Sequence, residues 1–150
     1  MVRELQWAPF VAGVCNLGEK ICCIGGWNGQ VGIKQCDLFD PDTNDWRKMA
    51  PLLTGRYQAG VCSSDNKIYA VGGCDAWNCL SSVEMYDPAT DSWNYIKSMI
   101  TARRGCGLAV FKGKYFAKIG NVLVNLKTNK EVWPIINRNL IFWLCHSIEN

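Results

Sequence analysis

Lys20-Ile21-Cys22-Cys23-Ile24-Gly25-Gly26 returns as Lys67-Ile68-Tyr69-Ala70-Val71-Gly72-Gly73, 47 residues further on. The same step leads to Lys114-Tyr115-Phe116-Ala117-Lys118-Ile119-Gly120. Working outward, Phe39-Asp40-Pro41 returns as Tyr86-Asp87-Pro88, Trp46 as Trp93 and Arg56 as Arg103, while Gly13, Gly60 and Gly107 keep the spacing. Self-similarity at one fixed period marks a repeat architecture, in which each unit hides its apolar faces against its neighbours.

The second repeat holds four short apolar-rich runs, at 59–63, 67–72, 82–86 and 92–96. Runs of this length, rich in Val, Ile, Tyr, Trp and Cys, read as strands. Ser64-Asp65-Asn66 suits a hairpin, and Asp87-Pro88-Ala89-Thr90 suits a type I turn, with Asp as acceptor and Pro fixing φ at the next position. Four antiparallel strands per repeat is the pattern of a propeller blade. The reading is therefore all-β: a partial β-propeller of three four-stranded antiparallel blades, spanning 11–136 as units 11–49, 58–96 and 105–136. The tail at 137–150 matches no part of the repeat and contains the apolar run Leu140-Ile141-Phe142-Trp143-Leu144.

The repeats are not identical. The first has Cys22 where the second has Tyr69, and Pro9 where the later ones have arginine. In the third, Ile119 replaces the first glycine, and the segment after it is shortened, so Gly120-Asn121 is expected to make a two-residue hairpin. A three-blade arc leaves outer blade faces uncovered, with Val14, Ile24, Leu126 and Trp133 expected there. Self-association through those faces is one remedy, and further blades in a longer parent chain are the other.

Composition narrows the function. The chain has 150 residues, 49% of them apolar and 19% charged, with a net charge of +3. Lys and Arg are scattered, which speaks against a nucleic-acid surface. No apolar stretch approaches the ~20 residues of a membrane helix. The stretch from Trp7 to Val14, broken by Pro9 and Gly13, does not read as a signal peptide. The nine cysteines are odd in number and mostly lie in strand patterns. They read as small buried hydrophobes in a reducing compartment, with a redox-sensing thiol as the alternative. Neither a zinc site nor a Ser/His/Asp set can be placed, because His146 is the only histidine. No catalytic residue, metal or cofactor is expected.

Gly-Gly at the end of the second strand, the aromatic-Asp-Pro of Tyr86-Asp87-Pro88 and Trp93 seven residues beyond Tyr86 are the motif of the kelch repeat. The chain resembles the kelch-like family over roughly residues 11–133. Within it, Ala76-Trp77-Asn78-Cys79-Leu80, Val83-Glu84 and Ala102-Arg103-Arg104-Gly105 are similar to members that bind the influenza virus non-structural protein. The glycines permit positive φ and close approach, and the aromatic plates pack between blades.

In such a blade, the link between second and third strands emerges on the same side as the link from one blade to the next. That side gathers Trp27, Asn28, Asp75, Trp77 and Asn78 with Arg56, Tyr57, Arg103 and Arg104, residue types enriched at interface hot spots. The resemblance implies that arginine at the positions of Arg56 and Arg103 contacts a ligand. The alternative is that these arginines pair with backbone carbonyls between blades.

The expected function is a protein- or peptide-binding module. The resemblance implies a cytoplasmic adaptor, with cytoskeletal or nuclear placement as alternatives. It further implies substrate recognition for a cullin-type ubiquitin ligase, or actin binding. Those roles rely on BTB and BACK domains, which these residues do not contain, so they attach to a longer parent protein. The rival readings are a truncated propeller without independent function, or a propeller enzyme.

Overall fold

Asp65 and Asn66 both adopt left-handed backbone, with φ of 51° and 56°. They join two strands whose last pair is Ser64 with Lys67. Two consecutive positive-φ residues match the right-handed twist of the flanking strands, which is why Asp and Asn stand here. The strands of this blade, the second in chain order, are Gly60–Ser64, Lys67–Val71, Val83–Asp87 and Ser92–Ile96. The computed structural model describes residues 10–111, 114–119, 122–125 and 131–132.

In chain order the strands are β1 Gly13–Leu17, β2 Lys20–Ile24, β3 Cys36–Asp40 and β4 Asp45–Lys48, then β5 to β8 as above. β9 Gly107–Phe111, β10 Lys114–Ile119, β11 Val122–Asn125 and β12 Glu131–Val132 follow. They form three four-stranded antiparallel sheets, each connected in sequence order. The expected three blades are therefore present. The turn at Asp87 forms as read: Thr90 N–H donates to the Asp87 carbonyl at 3.3 Å, and Ala89 N–H to its carboxylate at 3.0 Å. In the third blade Ile119 pairs directly with Val122, a two-residue link at Gly120-Asn121, which themselves lie outside the described residues. Leu126, Trp133 and the tail at 137–150 also lie outside them.

The first two blades pack through a shared core, and a separate cluster of Val71, Val83 and Met99, with Leu108 packed against it, joins the second to the third. Cys22, Ile24, Cys36, Leu38 and Leu52 from the first blade and its exit meet Ile68, Ala70, Tyr86 and Trp93 of the second. Gly13 lets the backbone of β1 approach β5, because a side chain there would run into Val61. Tyr86 and Trp93 lie with ring centroids 5.3 Å apart, and Trp93 Nε1–H donates to the Ala50 carbonyl at 2.9 Å. The aromatic plates thus sit between blades, as their motif implies. The matched positions on the first blade differ: Ile21 is 43% exposed where Ile68 is wholly buried, and Val14 is 60% exposed. That face has no covering blade among the described residues. Ile24, expected on the open face, is instead buried, because alternate strand residues point oppositely and it faces the second blade.

The seam is fixed by Arg56, in the connection between β4 and β5. Its backbone binds the first blade: Arg56 N–H donates to the Ile33 carbonyl at 3.1 Å, and its own carbonyl accepts from Gly26 N–H at 2.8 Å. Its side chain enters the second blade and is wholly buried. The guanidinium donates to the Gly72 carbonyl at 2.7 Å, the Ser82 carbonyl and hydroxyl at 3.1 Å each, and Glu84 Oε1 at 2.5 Å. Glu84, also wholly buried, accepts from Leu53 N–H at 2.6 Å and Thr54 N–H at 3.0 Å. This corrects the expectation that Arg56 lies on the binding face. The alternative reading, pairing with carbonyls in the blade stack, is the arrangement found, with a carboxylate added.

Two expectations for stability follow from these environments. Arg56→Ala strands Glu84 as a buried, unpaired charge, so it should cost about 3–5 kcal/mol, against within about 0.5 kcal/mol for Arg104→Ala at the surface. Urea unfolding midpoints at unchanged slope measure both. Burial also pushes the Cys36 thiol up to about 12 and the Cys62 thiol up to about 11, from 9.0. The folded state then holds protons that the unfolded chain releases. This contribution is complete below pH 9.0 and is lost as pH rises toward 11 and 12, by up to about 1 kcal/mol per pH unit for each thiol. Urea midpoints between pH 8 and 11 should fall, and a flat or rising profile contradicts it.

Candidate functional site

Gly25 and Gly72 end their strands with φ of 62° and 60°, a conformation that turns the chain off the sheet. At Gly72 a Cβ would stand 2.5 Å from the Arg103 carbonyl, so only glycine fits. The loops that follow, between β2 and β3 and between β6 and β7, emerge beside the interblade links, as the strand alternation predicts. Cross-loop bonds hold them: Gly32 N–H donates to the Asp75 carbonyl, and Tyr57 and Cys74 exchange two backbone bonds of 2.9 Å each.

Trp27, on the first loop, packs against Tyr57 on the link, with ring centroids 4.7 Å apart and planes inclined at 58°. Both are half-buried. Burial, with Cys74 beside it, raises the Tyr57 phenol pKa, so the hydroxyl is a neutral donor at pH 7. Asn28 is exposed and its side-chain carbonyl caps the Gln30 and Val31 N–H groups at 2.9 Å each. Asp75 does the same on the second loop, accepting from Ala76 and Asn78 N–H, and these bonds hold its carboxyl below the ordinary range. Both acceptors shape turns by the same mechanism.

Trp77 stands at the apex of the second loop, 91% exposed, next to exposed Asn78. Arg104 is exposed and Arg103 half-buried. The Arg103 backbone repeats the Arg56 pattern, donating to the Leu80 carbonyl at 3.0 Å and accepting from Gly73 N–H at 2.7 Å. Its carboxylate partner is not repeated. Ala70 pairs with Glu84 in the second blade, whereas the matching Ala117 pairs with Val124 in the third. The structure therefore brings together Trp27, Tyr57, Asp75, Trp77, Asn78, Arg103 and Arg104 along two adjoining loops and links, leaves Asn28 as a turn-former at their edge, and removes Arg56. Glu84 was not singled out from sequence as a partner for Arg56. Its signal was a charged residue inside the apolar strand Val83–Asp87, matched by Asp37 in β3. Among the described residues no group of three or more His, Cys, Asp or Glu could hold a metal ion; His146 lies outside them.

Comparison with known proteins agrees with this architecture. The Kelch motif matches residues 12–53 and 55–100. Human Kelch-like protein 4 is 35% identical over 55 residues, which is 37% of this chain and 8% of that protein. The chain thus spans a small part of the relative it matches. A fungal alcohol oxidase of the AA5 family, solved in complex with copper, superposes with a TM-score of 0.66 at 16% identity, over 79% of this chain and 28% of that one. At that identity the likeness is one of fold, and the copper belongs to that protein. With two motif matches covering more than half of its length, on blades built as described, this chain belongs to the kelch-repeat family.

Proposed function

We propose that this chain is a protein-interaction module that holds a protein or peptide segment on the face of Trp27, Tyr57, Asp75, Trp77, Asn78, Arg103 and Arg104, and that it performs no catalysis. The observation that carries the reading is Trp77, a large aromatic side chain left 91% exposed on a loop that backbone bonds tie to its neighbour. Aromatic and arginine side chains on a preorganised surface are the usual anchors of an interface, since little ordering is lost on binding. Asp75 and the two arginines offer both charge signs, so the occupant fits a polar segment with an aromatic or aliphatic anchor.

The finer reading rests on the resemblance to kelch-like proteins. There the module selects substrates for a cullin-type ubiquitin ligase, or attaches to actin, through BTB and BACK domains of a longer cytoplasmic protein. The open face of the first blade is a second contact surface. Val61 and Ile68 occupy the same repeat positions as Val14 and Ile21 and are covered by a neighbouring blade, so another blade, of this chain or of a second copy, is its natural occupant.

The test is retention from cell lysate on the immobilised chain, followed by titration with the retained protein. Trp77→Ala with Arg104→Ala should weaken binding about thirtyfold or more, the effect of losing a hot spot worth about 2 kcal/mol. The fold should be unaffected, because both side chains are exposed. A partner held equally by the double variant would place the site elsewhere.

A further inference from the structure

The loop that carries Trp77 is closed at its base by two thiols. Cys74 and Cys79 face each other across an isolated antiparallel bridge. The flanking bonds run from Asp75 N–H to the Asn78 carbonyl at 3.2 Å and from Leu80 N–H to the Gly73 carbonyl at 2.8 Å. That pattern makes Cys74 and Cys79 a non-hydrogen-bonded pair, the kind whose Cα atoms lie about 4.5 Å apart. A disulfide accepts Cα separations of about 4.4–6.8 Å, so the backbone already meets its requirement. The two sulfurs are 3.4 Å apart, with one thiol donating to the other. In the first blade the equivalent bridge joins Trp27 to Gly32. The paired sulfurs are therefore particular to this loop and not a demand of the repeat.

The two thiols differ in access. Cys79 is exposed, while Cys74 is buried beneath the loop, 2% exposed. Burial raises the Cys74 pKa and the nearby Arg104 charge opposes the rise. An oxidant in solution therefore meets Cys79 first, and Cys74 is held in place as the resolving thiol.

We propose that Cys74 and Cys79 form a reversible disulfide when the protein meets hydrogen peroxide, a modification site that locks residues 75–78 and the presentation of Trp77. The Cys79 thiolate attacks one peroxide oxygen; the S–O bond forms, the O–O bond breaks, and the leaving hydroxide takes a proton to become water. Cys79 is now a sulfenic acid, oxidised by two electrons. The Cys74 sulfur then attacks the Cys79 sulfur; the S–S bond forms, the S–O bond breaks, and the departing oxygen leaves as water with the Cys74 proton. Two thiols and one peroxide become one disulfide and two waters, and a dithiol reductant reverses the change. This site rests on the bridge geometry and is independent of which partner the face binds.

Trypsin makes the test direct, because the peptide from Ile68 to Lys97 contains Cys74 and Cys79 and no other cysteine. The full chain is exposed to hydrogen peroxide in its native state, its free thiols are alkylated, and the peptide is weighed. The expected result is a peptide lighter by two hydrogens, unalkylated, and returned to two alkylatable thiols by dithiothreitol. In Cys79→Ser, Cys74 should remain fully alkylatable after unfolding, since the oxidant does not reach it. Peptide in which both cysteines stay alkylatable, in which Cys79 is oxidised without ring closure, or in which either thiol pairs with a cysteine elsewhere overturns the proposal.

Discussion

A buried guanidinium and a buried carboxylate share one atom-to-atom contact at the seam, and three separate pieces of chain hang on it. Arg56 belongs by its backbone to the first blade's loop and by its side chain to the second blade's sheet. Glu84 belongs to β7 and by its two oxygens grips the link at Leu53 and Thr54. Two such charges removed from water are tolerable only when nearly every donor and acceptor is matched. Here the carboxylate receives both backbone N–H groups and the guanidinium, and the guanidinium spends four bonds on the blade, leaving only Nε without an acceptor among the described residues. The matching requirement is directional, so it sets the angle and register of one blade on the next, which apolar contact alone does not.

The other seams depart from this arrangement in ways that follow from single substitutions. In the first blade Asp37 takes the Glu84 position, paired with Cys23 as Glu84 is with Ala70. In the sequence Pro9 holds the repeat position of its arginine, and the Asp37 carboxylate accepts from Gln35 Nε2 at 2.7 Å. Gln35 holds the repeat position of Ser82, so in this blade the donor to the acid comes from the acid's own strand end. In the third blade Val124 holds the acid's position, and Ile119 in place of glycine lets β10 run straight into a short link. The long loop between second and third strands, which supplies Trp27 in one blade and Trp77 in the next, is absent there. The candidate face is therefore built by the two blades whose glycines turn the chain away from the sheet.

The period, the strands and the turns were readable because each depends on local chemistry: alternating apolar residues, Asp-Asn at a hairpin, Asp-Pro at a type I turn. The side of the propeller carrying the candidate residues was readable from strand alternation. The fate of Arg56 was not, since one arginine in a link is equally suited to a surface and to a buried acid. Choosing between them required recognising Glu84 in the middle of β7 as a charge in need of a partner. The thiol pair was hidden for a related reason: a spacing of five between Cys74 and Cys79 closes a bridge only once the loop geometry is known. Ile24 was misplaced because alternation along β2 fixes opposite faces without saying which of them meets the next blade.

The most direct test of the seam is native-state hydrogen exchange at the amides that touch the ion pair, in the unaltered protein and in Glu84→Gln. Leu53 and Thr54 N–H, and Gly26 N–H on the Arg56 carbonyl, should exchange in the unaltered protein only as slowly as the strand amides of β5 and β6, because opening them means parting the blades. In Glu84→Gln these three should lose protection while the β5–β6 hairpin retains its own. Fast, loop-like exchange at Leu53 and Thr54 in the unaltered protein, or unchanged protection in the variant, would contradict the account.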